Sequence, residues 1–310
     1  MPDFNSQIST RETFAEESSA ALEKAIKVVQ AALYSSVVDK VLNSLETDEN
    51  GLIKFTVGNI RNAGKFSQVW KSHQRQSSKI TAWLIRKLIE LFNLNTAYIK
   101  EVSKVTDGLE ARARKKLLFN LGYDIDAKKV IPDSWLDNLA AQADVKQRVA
   151  NRISTAIQSK MPLSQFRKEF KDDFLDTQKG LGYLSRYYEQ KTFDLFQKFD
   201  RSTQEVYRQE LKLNYALYSG TVQRPHKGSK GSREHCLKRK GNIYDLETIE
   251  SWNNLHWHGK IEGVDVKIQC GGHNCRDHYH WMSKEAAETI LKKKGKKLNE
   301  YNKISGLNLD

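Results

Sequence analysis

The stretch 79-KITAWLIRKLIELFNLNTAYIKEV-102 places Ile80, Leu84, Leu88 and Leu91 on one stripe, with Trp83 and Phe92 beside it. Apolar residues recurring at three and four positions mark an amphipathic α-helix with one face in a core. The same signal extends both ways along the chain. Upstream, Thr10 followed by acidic residues and then Ala21, Leu22, Ile26 and Val29 reads as a capped amphipathic helix. Downstream, Val145, Val149, Ile153 and Ile157 share one face, and Met161-Pro162-Leu163-Ser164 ends that helix. Ser164 to Phe174 reads as a short successor, and Gly180 to Gly182 as another break. A long helix kinked near Asp200 is expected from about Leu184 to Tyr218, with Tyr207, Leu211, Tyr215 and Tyr218 as its late stripe. Each stripe is read first as core packing.

Composition supports this reading. Four prolines in 310 residues leave long helices unobstructed, and 39% hydrophobic against 29% charged residues suits a protein with a real core. No apolar run approaches the roughly 20 residues that span a bilayer. The polar start, Met1 to Arg11, lacks the basic-then-apolar pattern of a signal peptide, so a cytoplasmic site of synthesis is expected. The net charge of +13 favours acidic partners, either nucleic acid or an acidic protein surface. Its densest patches are Arg224 to Lys240, Lys292 to Lys297, and Arg112, Arg114, Lys115 and Lys116. None interleaves aromatics as a single-strand binder does.

At Ser219-Gly220 the composition changes. Seven of the eight histidines, all three cysteines, three of the six tryptophans and seven glycines fall between residues 226 and 281. This is a small loop-rich unit. Val264, Val266 and Ile268 alternate with Asp265 and Lys267 as a strand would, and Asp245 to Trp252 reads as a short helix. After Ser283 as N-cap, a helix is expected to about Lys292, followed by a basic tail.

Three kinds of chemistry are compatible with that unit. Cys236, Cys270 and Cys275 with His273 or His278 could complete a tetrahedral zinc set, and His226 or His280 are further candidates. A small core gains most from such a staple, although the cysteine spacing matches no standard zinc pattern. A Cys236–Cys275 disulfide and buried free thiols are the alternatives. His273-Asn274-Cys275 with His278 and His280 also suits a metal-dependent nuclease acting on DNA, one histidine serving as general base. The third reading is structural: Gly271-Gly272 allow an unusual turn, Arg276 bonds loop carbonyls or carboxylates, and Trp252, Trp257 and Trp281 form the core. No P-loop, HExxH, GxSxG or dinucleotide fingerprint occurs.

The order Tyr207, Tyr218-Ser219-Gly220, Arg224 to Cys236, Gly241, Ile249-x-x-Trp252, Gly259, Gly263 and Gly271-Gly272-His273-Asn274-Cys275-Arg276 resembles the C-terminal head-morphogenesis module of tailed bacteriophages, the phage Mu F-like minor head proteins. The match covers about residues 200 to 282, and more loosely the helices from about Trp135. Asp277 and His273 depart from the family's pattern. The resemblance implies a virion component acting in capsid assembly near the portal, in multiple copies, with packaged DNA as a further partner and a part in DNA packaging or ejection as a further expectation. It implies assembly in host cytoplasm and then residence in the virion head, with no membrane partner and no enzymatic role. The expected docking residues are Arg224, His226, Arg233, Asn274 and Arg276, with Lys227, Lys230, Lys238, Arg239 and Lys240 meeting DNA or an acidic partner.

The expected fold is mainly α: a long-helix body followed by a small Gly/Cys/His-rich α+β module. The expected segments are a helical N-terminal region at 1–130, a helical lead-in at 131–218, the module at 219–282 and a basic helix and tail at 283–310.

Overall fold

The computed structural model describes residues 4–178, 180–192, 195–220, 232–273 and 275–293. Helices α1 (Phe4–Lys40), α2 (Val57–Gly64), α3 (Phe66–Val102) and α4 (Asp107–Leu121) come first, followed by a minimal antiparallel pair, β1 (Tyr123–Asp124) and β2 (Lys129–Val130). Next are α5 (Trp135–Ala141), α6 (Ala143–Gln158), α7 (Leu163–Phe174), α8 (Tyr183–Thr192) and α9 (Leu195–Leu211). The last third holds β3 (Tyr215–Ser219), α10 (Glu234–Arg239), β4 (Ile243–Asp245), α11 (Leu246–Ser251), α12 (Val266–Gln269), β5 (His278–Met282) and α13 (Lys284–Lys293). The fold is mainly α with a small α+β module near the C-terminus.

The chain forms two compact units, each discontinuous in sequence. One comprises residues 20–86 and 121–193; the other comprises 1–19, 87–120 and 194–310. In the first, the α6 stripe Val145, Val149, Ile153 and Ile157 is buried, as is the α7 stripe Phe166, Phe170 and Phe174. Pro162 is the N-cap of α7, where its fixed φ suits a helix start and its missing N–H costs nothing. Tyr34 of α1 stacks on Phe170 with ring centroids 6.1 Å apart.

In the second unit, β3 is the middle strand of a three-stranded antiparallel sheet, order β4-β3-β5. Leu217 pairs with Ile243 on one side and His280 on the other. Helix α9 packs on β5.

Four expectations need correction. The helix expected from Leu184 to Tyr218 is three elements. α8 ends at Thr192, and α9 ends where Lys212 takes a left-handed φ of 52°. The Leu213 N–H closes that end on the Arg208 carbonyl at 3.0 Å, and the aromatic Tyr215–Ser219 segment then pairs as a strand. Val264 to Ile268 is not a strand; Asp265 caps α12 by accepting from the Lys267 N–H at 2.8 Å. Thr10 is not a cap but lies inside α1, which begins at Phe4 and continues the buried row Ile8, Arg11, Ala15, Ser18 and Leu22. The long stripe of α3 likewise starts earlier than expected, at Phe66.

Candidate functional site

The period-two geometry of β5 turns His278 and His280 to one face and Tyr279 to the other. On the histidine face stands Asp200 of α9, 1% exposed. Arg11 of α1 binds it in a fork, Nη2 donating to Oδ1 at 3.0 Å and to Oδ2 at 2.9 Å. Asn95 of α3 donates to Oδ1 at 2.7 Å, and His278 Nδ1 lies 2.7 Å from Oδ2. One carboxylate thus ties together three helices and a strand. Although burial opposes ionisation, the Arg11 and His278 charges hold Asp200 well below the usual carboxylate range. Breaking such a buried pair from one side costs about 3–5 kcal/mol, because the remaining charge is left without a partner.

Beside this hub, Ser219 Oγ lies 2.5 Å from His280 Nε2 and also donates to Glu12 Oε1. The pair superficially suits nucleophilic catalysis, but its protons are arranged the wrong way. Arg11 Nη1 lies 3.1 Å from His280 Nδ1, and a guanidinium can only donate. Nδ1 must therefore accept, and the ring proton sits on Nε2, facing Ser219. His280 cannot take the serine proton. Burial and the Arg11 charge push His280 down to about 4, so it is neutral at pH 7.

The second cluster lies around the three cysteines. Cys236 on α10, Cys270 after α12 and Cys275 before β5 are all buried and free. Cys236 Sγ, Cys275 Sγ and a carboxylate oxygen of Asp277 lie within 4.8 Å of one another. The Cys236 and Cys270 thiols donate to Cys275 and hold it well below the ordinary thiol value. Cys236 is pushed up by that same bond and by burial, and Cys270 by burial first. Backbone N–H groups of Gly271 and Asp277 point at Cys275 Sγ from 3.1 and 3.4 Å. Lys240 Nζ holds Asp277 Oδ1 at 2.8 Å, and the Tyr218 hydroxyl donates to Oδ2 at 3.2 Å. Arg201 of α9 ties the surrounding turns together through the carbonyls of Gln269, Cys275 and Asp277.

The glycines of this region are positional. A Cβ on Gly271 would fall 2.3 Å from Cys236 Sγ and 2.9 Å from Cys275 Sγ. A Cβ on Gly272 would fall 1.9 Å from the Gly259 carbonyl oxygen. The His273 N–H donates to that carbonyl at 2.8 Å, and Arg233 lies over Gly259 and donates to the His273 carbonyl. Trp257 Nε1 donates to the Gly271 carbonyl at 2.9 Å while its ring stacks on His235 at 3.8 Å.

Among the residues expected at a metal site, Cys236 and Cys275 come together and Cys270 adjoins them. His273 is exposed, and His278 faces Asp200, so neither joins the thiols. Among the expected partner contacts, Arg239 is 5% exposed with its guanidinium 4.3 Å over the Trp252 ring, and Lys240 is turned in to Asp277. Both were expected at the surface; the aromatic face and the carboxylate draw them inward. Lys238 remains exposed beside Glu234, and Arg276 is exposed. Arg224, His226, Lys227, Lys230 and Asn274 lie outside the described residues.

Sequence reasoning missed Asp277 as a neighbour of the thiols, and missed the whole Arg11–Asn95–Asp200 hub. A signal was present for the hub: Arg11 sits in the apolar row of α1, and Asp200 in the buried row Phe196, Phe199, Thr203 and Tyr207 of α9. A charge on a core-facing position needs a buried partner. No protein-family model, curated protein or solved structure matches the chain.

Proposed function

We propose that this chain is a minor head protein of a tailed bacteriophage, a non-enzymatic virion component that docks on the portal or another capsid protein during head assembly. One observation carries this reading beyond the sequence resemblance. Positions far apart in sequence that carry the resemblance are mutual neighbours: the Cys236 and Cys275 sulfurs close over Gly271, and Gly272 and His273 meet the Gly259 carbonyl. The ordered pattern is thus the packing signature of a folded module, with Arg276 and Lys238 left outward as polar anchors. The DNA-cleavage alternative draws less support, because His278 and His280 are buried and committed to Asp200, Glu12 and Arg11.

Co-purification tests this reading. The full chain, mixed at low salt with the portal protein encoded nearest to it, should co-elute in size-exclusion chromatography. Arg276→Glu combined with Lys238→Glu should weaken that association, because rim charges steer and orient docking. Separate elution of the wild-type chain and portal at low salt sinks the proposal.

A further inference from the structure

The geometry points to a zinc site made of Cys236, Cys270, Cys275 and Asp277, a structural staple of the small module. This inference does not depend on the head-protein reading. Zinc takes four ligands in a tetrahedron, with Zn–S near 2.3 Å and Zn–O near 2.0–2.2 Å. Those lengths put a sulfur and an oxygen on one ion roughly 3.5 Å apart. Cys275 Sγ and Asp277 Oδ2 are 3.6 Å apart. Cys236 Sγ joins them within 4.8 Å, and all three residues are buried.

Cys270 is the fourth ligand in this proposal. It lies outside the close set of Cys236, Cys275 and Asp277, but its thiol already bonds Cys275 and meets the Tyr279 hydroxyl, from which it would turn toward the ion. Zinc displaces the thiol protons, which leave to solvent.

The surroundings suit an ion more than a plain thiol core. Gly271 is the only residue type that lets Cys236 and Cys275 approach, since a Cβ there would strike both sulfurs. Two backbone N–H groups aim at Cys275 Sγ, as donors do toward a metal-bound thiolate. Lys240 occupies Oδ1 of Asp277, while Oδ2 faces the sulfur and also accepts from the Tyr218 hydroxyl. Three thiolates and a carboxylate around a divalent ion leave two negative charges, and Lys240 and Arg201 bring two positive ones close by. Three soft sulfur ligands favour zinc over the hard cations calcium and magnesium.

The decisive measurement is elemental analysis of the full, untagged chain purified under reducing conditions without chelator. Roughly one zinc per chain is expected. Cobalt(II) in place of zinc should give the near-ultraviolet thiolate-to-metal band and the strong visible bands of a tetrahedral site. Asp277→Asn, close to isosteric, should lower zinc affinity and shift the cobalt bands, and Cys275→Ser should abolish both. Lys240→Met should lower zinc affinity about 10–100-fold, the usual effect of losing an outer-shell partner. Zinc well below stoichiometry overturns the proposal, and titration of the thiols in the denatured chain then separates its two causes. Three titratable thiols would mean a metal-free core; a single one would mean a disulfide. If Cys275→Ser fails to fold, the metal content of the wild-type chain and of Asp277→Asn still decides. Failure to bind portal with zinc retained would count against the head-protein reading alone.

Discussion

His280 carries the chain's response to acid. In the fold, burial and the neighbouring Arg11 charge hold it down to about 4 against an ordinary 6.5, and burial with the Arg239 charge holds His235 down to about 3. Both are neutral in the folded state while the unfolded chain takes up protons below pH 6.5. A depressed folded value means stability that is complete above pH 6.5 and is lost as pH falls toward 4 and then 3. Glu12 adds to the loss at lower pH. Although burial raises its value, the His280 hydrogen bond and nearby charges bring it from 4.5 to about 2. The His280 contribution is on the order of 2–3 kcal/mol. Urea midpoints between pH 7 and 4.5 should therefore fall for the wild-type chain and fall less for His280→Gln, whose amide keeps a donor and an acceptor. Parallel curves for the two proteins would remove His280 from this role.

Among the elements, the end of α9 is where local preference and the fold disagree most. Lys212 holds φ at 52°, a conformation that suits glycine at the residue following a helix. Lys212→Gly should stabilise the chain by about 0.5–1 kcal/mol, seen as a rise of about 1–2 °C in thermal midpoint. An unchanged or lower midpoint would show that the lysine is not strained there. The same junction explains what the sequence could and could not disclose. Long stripes such as Val145 to Ile157 and Ile80 to Leu91 are legible, because a period of 3.6 sustained over several turns has one interpretation. Tyr207, Leu211, Tyr215 and Tyr218 also fit that period, yet the last two belong to β3. Four positions are too few to tell a helix from a strand, and nothing but a left-handed lysine marks the boundary. Val264 to Ile268 misleads in the opposite sense, since alternation over five residues is outweighed by a single capping aspartate. At the site, cysteine crowding is plain in the sequence, but the partner of the thiols is not. Asp277 meets Cys275 two residues away but meets Cys236 only through the fold, and the clustering of His273 and His278 in sequence does not disclose that one is exposed and the other buried against Asp200.

At the scale of the whole molecule, the C-terminal module is not a self-contained segment. Its sheet closes on Asp200, Asn95 and Arg11, drawn from α9, α3 and α1. A fragment spanning 195–293 would contain every strand of the module yet leave Asp200 buried without its cation. It should be protease-sensitive and lack the near-ultraviolet dichroism of packed aromatics, and adding residues 1–19 and 87–120 back within the full chain should restore both. A protected, natively packed fragment would show the hub to be dispensable. No helix among the described residues is long and apolar enough to cross a membrane. Salt weakens the attraction of the +13 charge for acidic partners. The reach of the hub also sets a timetable for synthesis. Arg11 and His280 are 269 residues apart in sequence. At roughly 5–20 residues per second, a ribosome takes roughly 15–50 s to pass from one to the other. Asp200, the carboxylate that Arg11 meets, is made 189 residues after it and β5 later still, so α1 carries an unpaired arginine on its apolar row through most of that interval and this unit cannot complete its core before β5 is made.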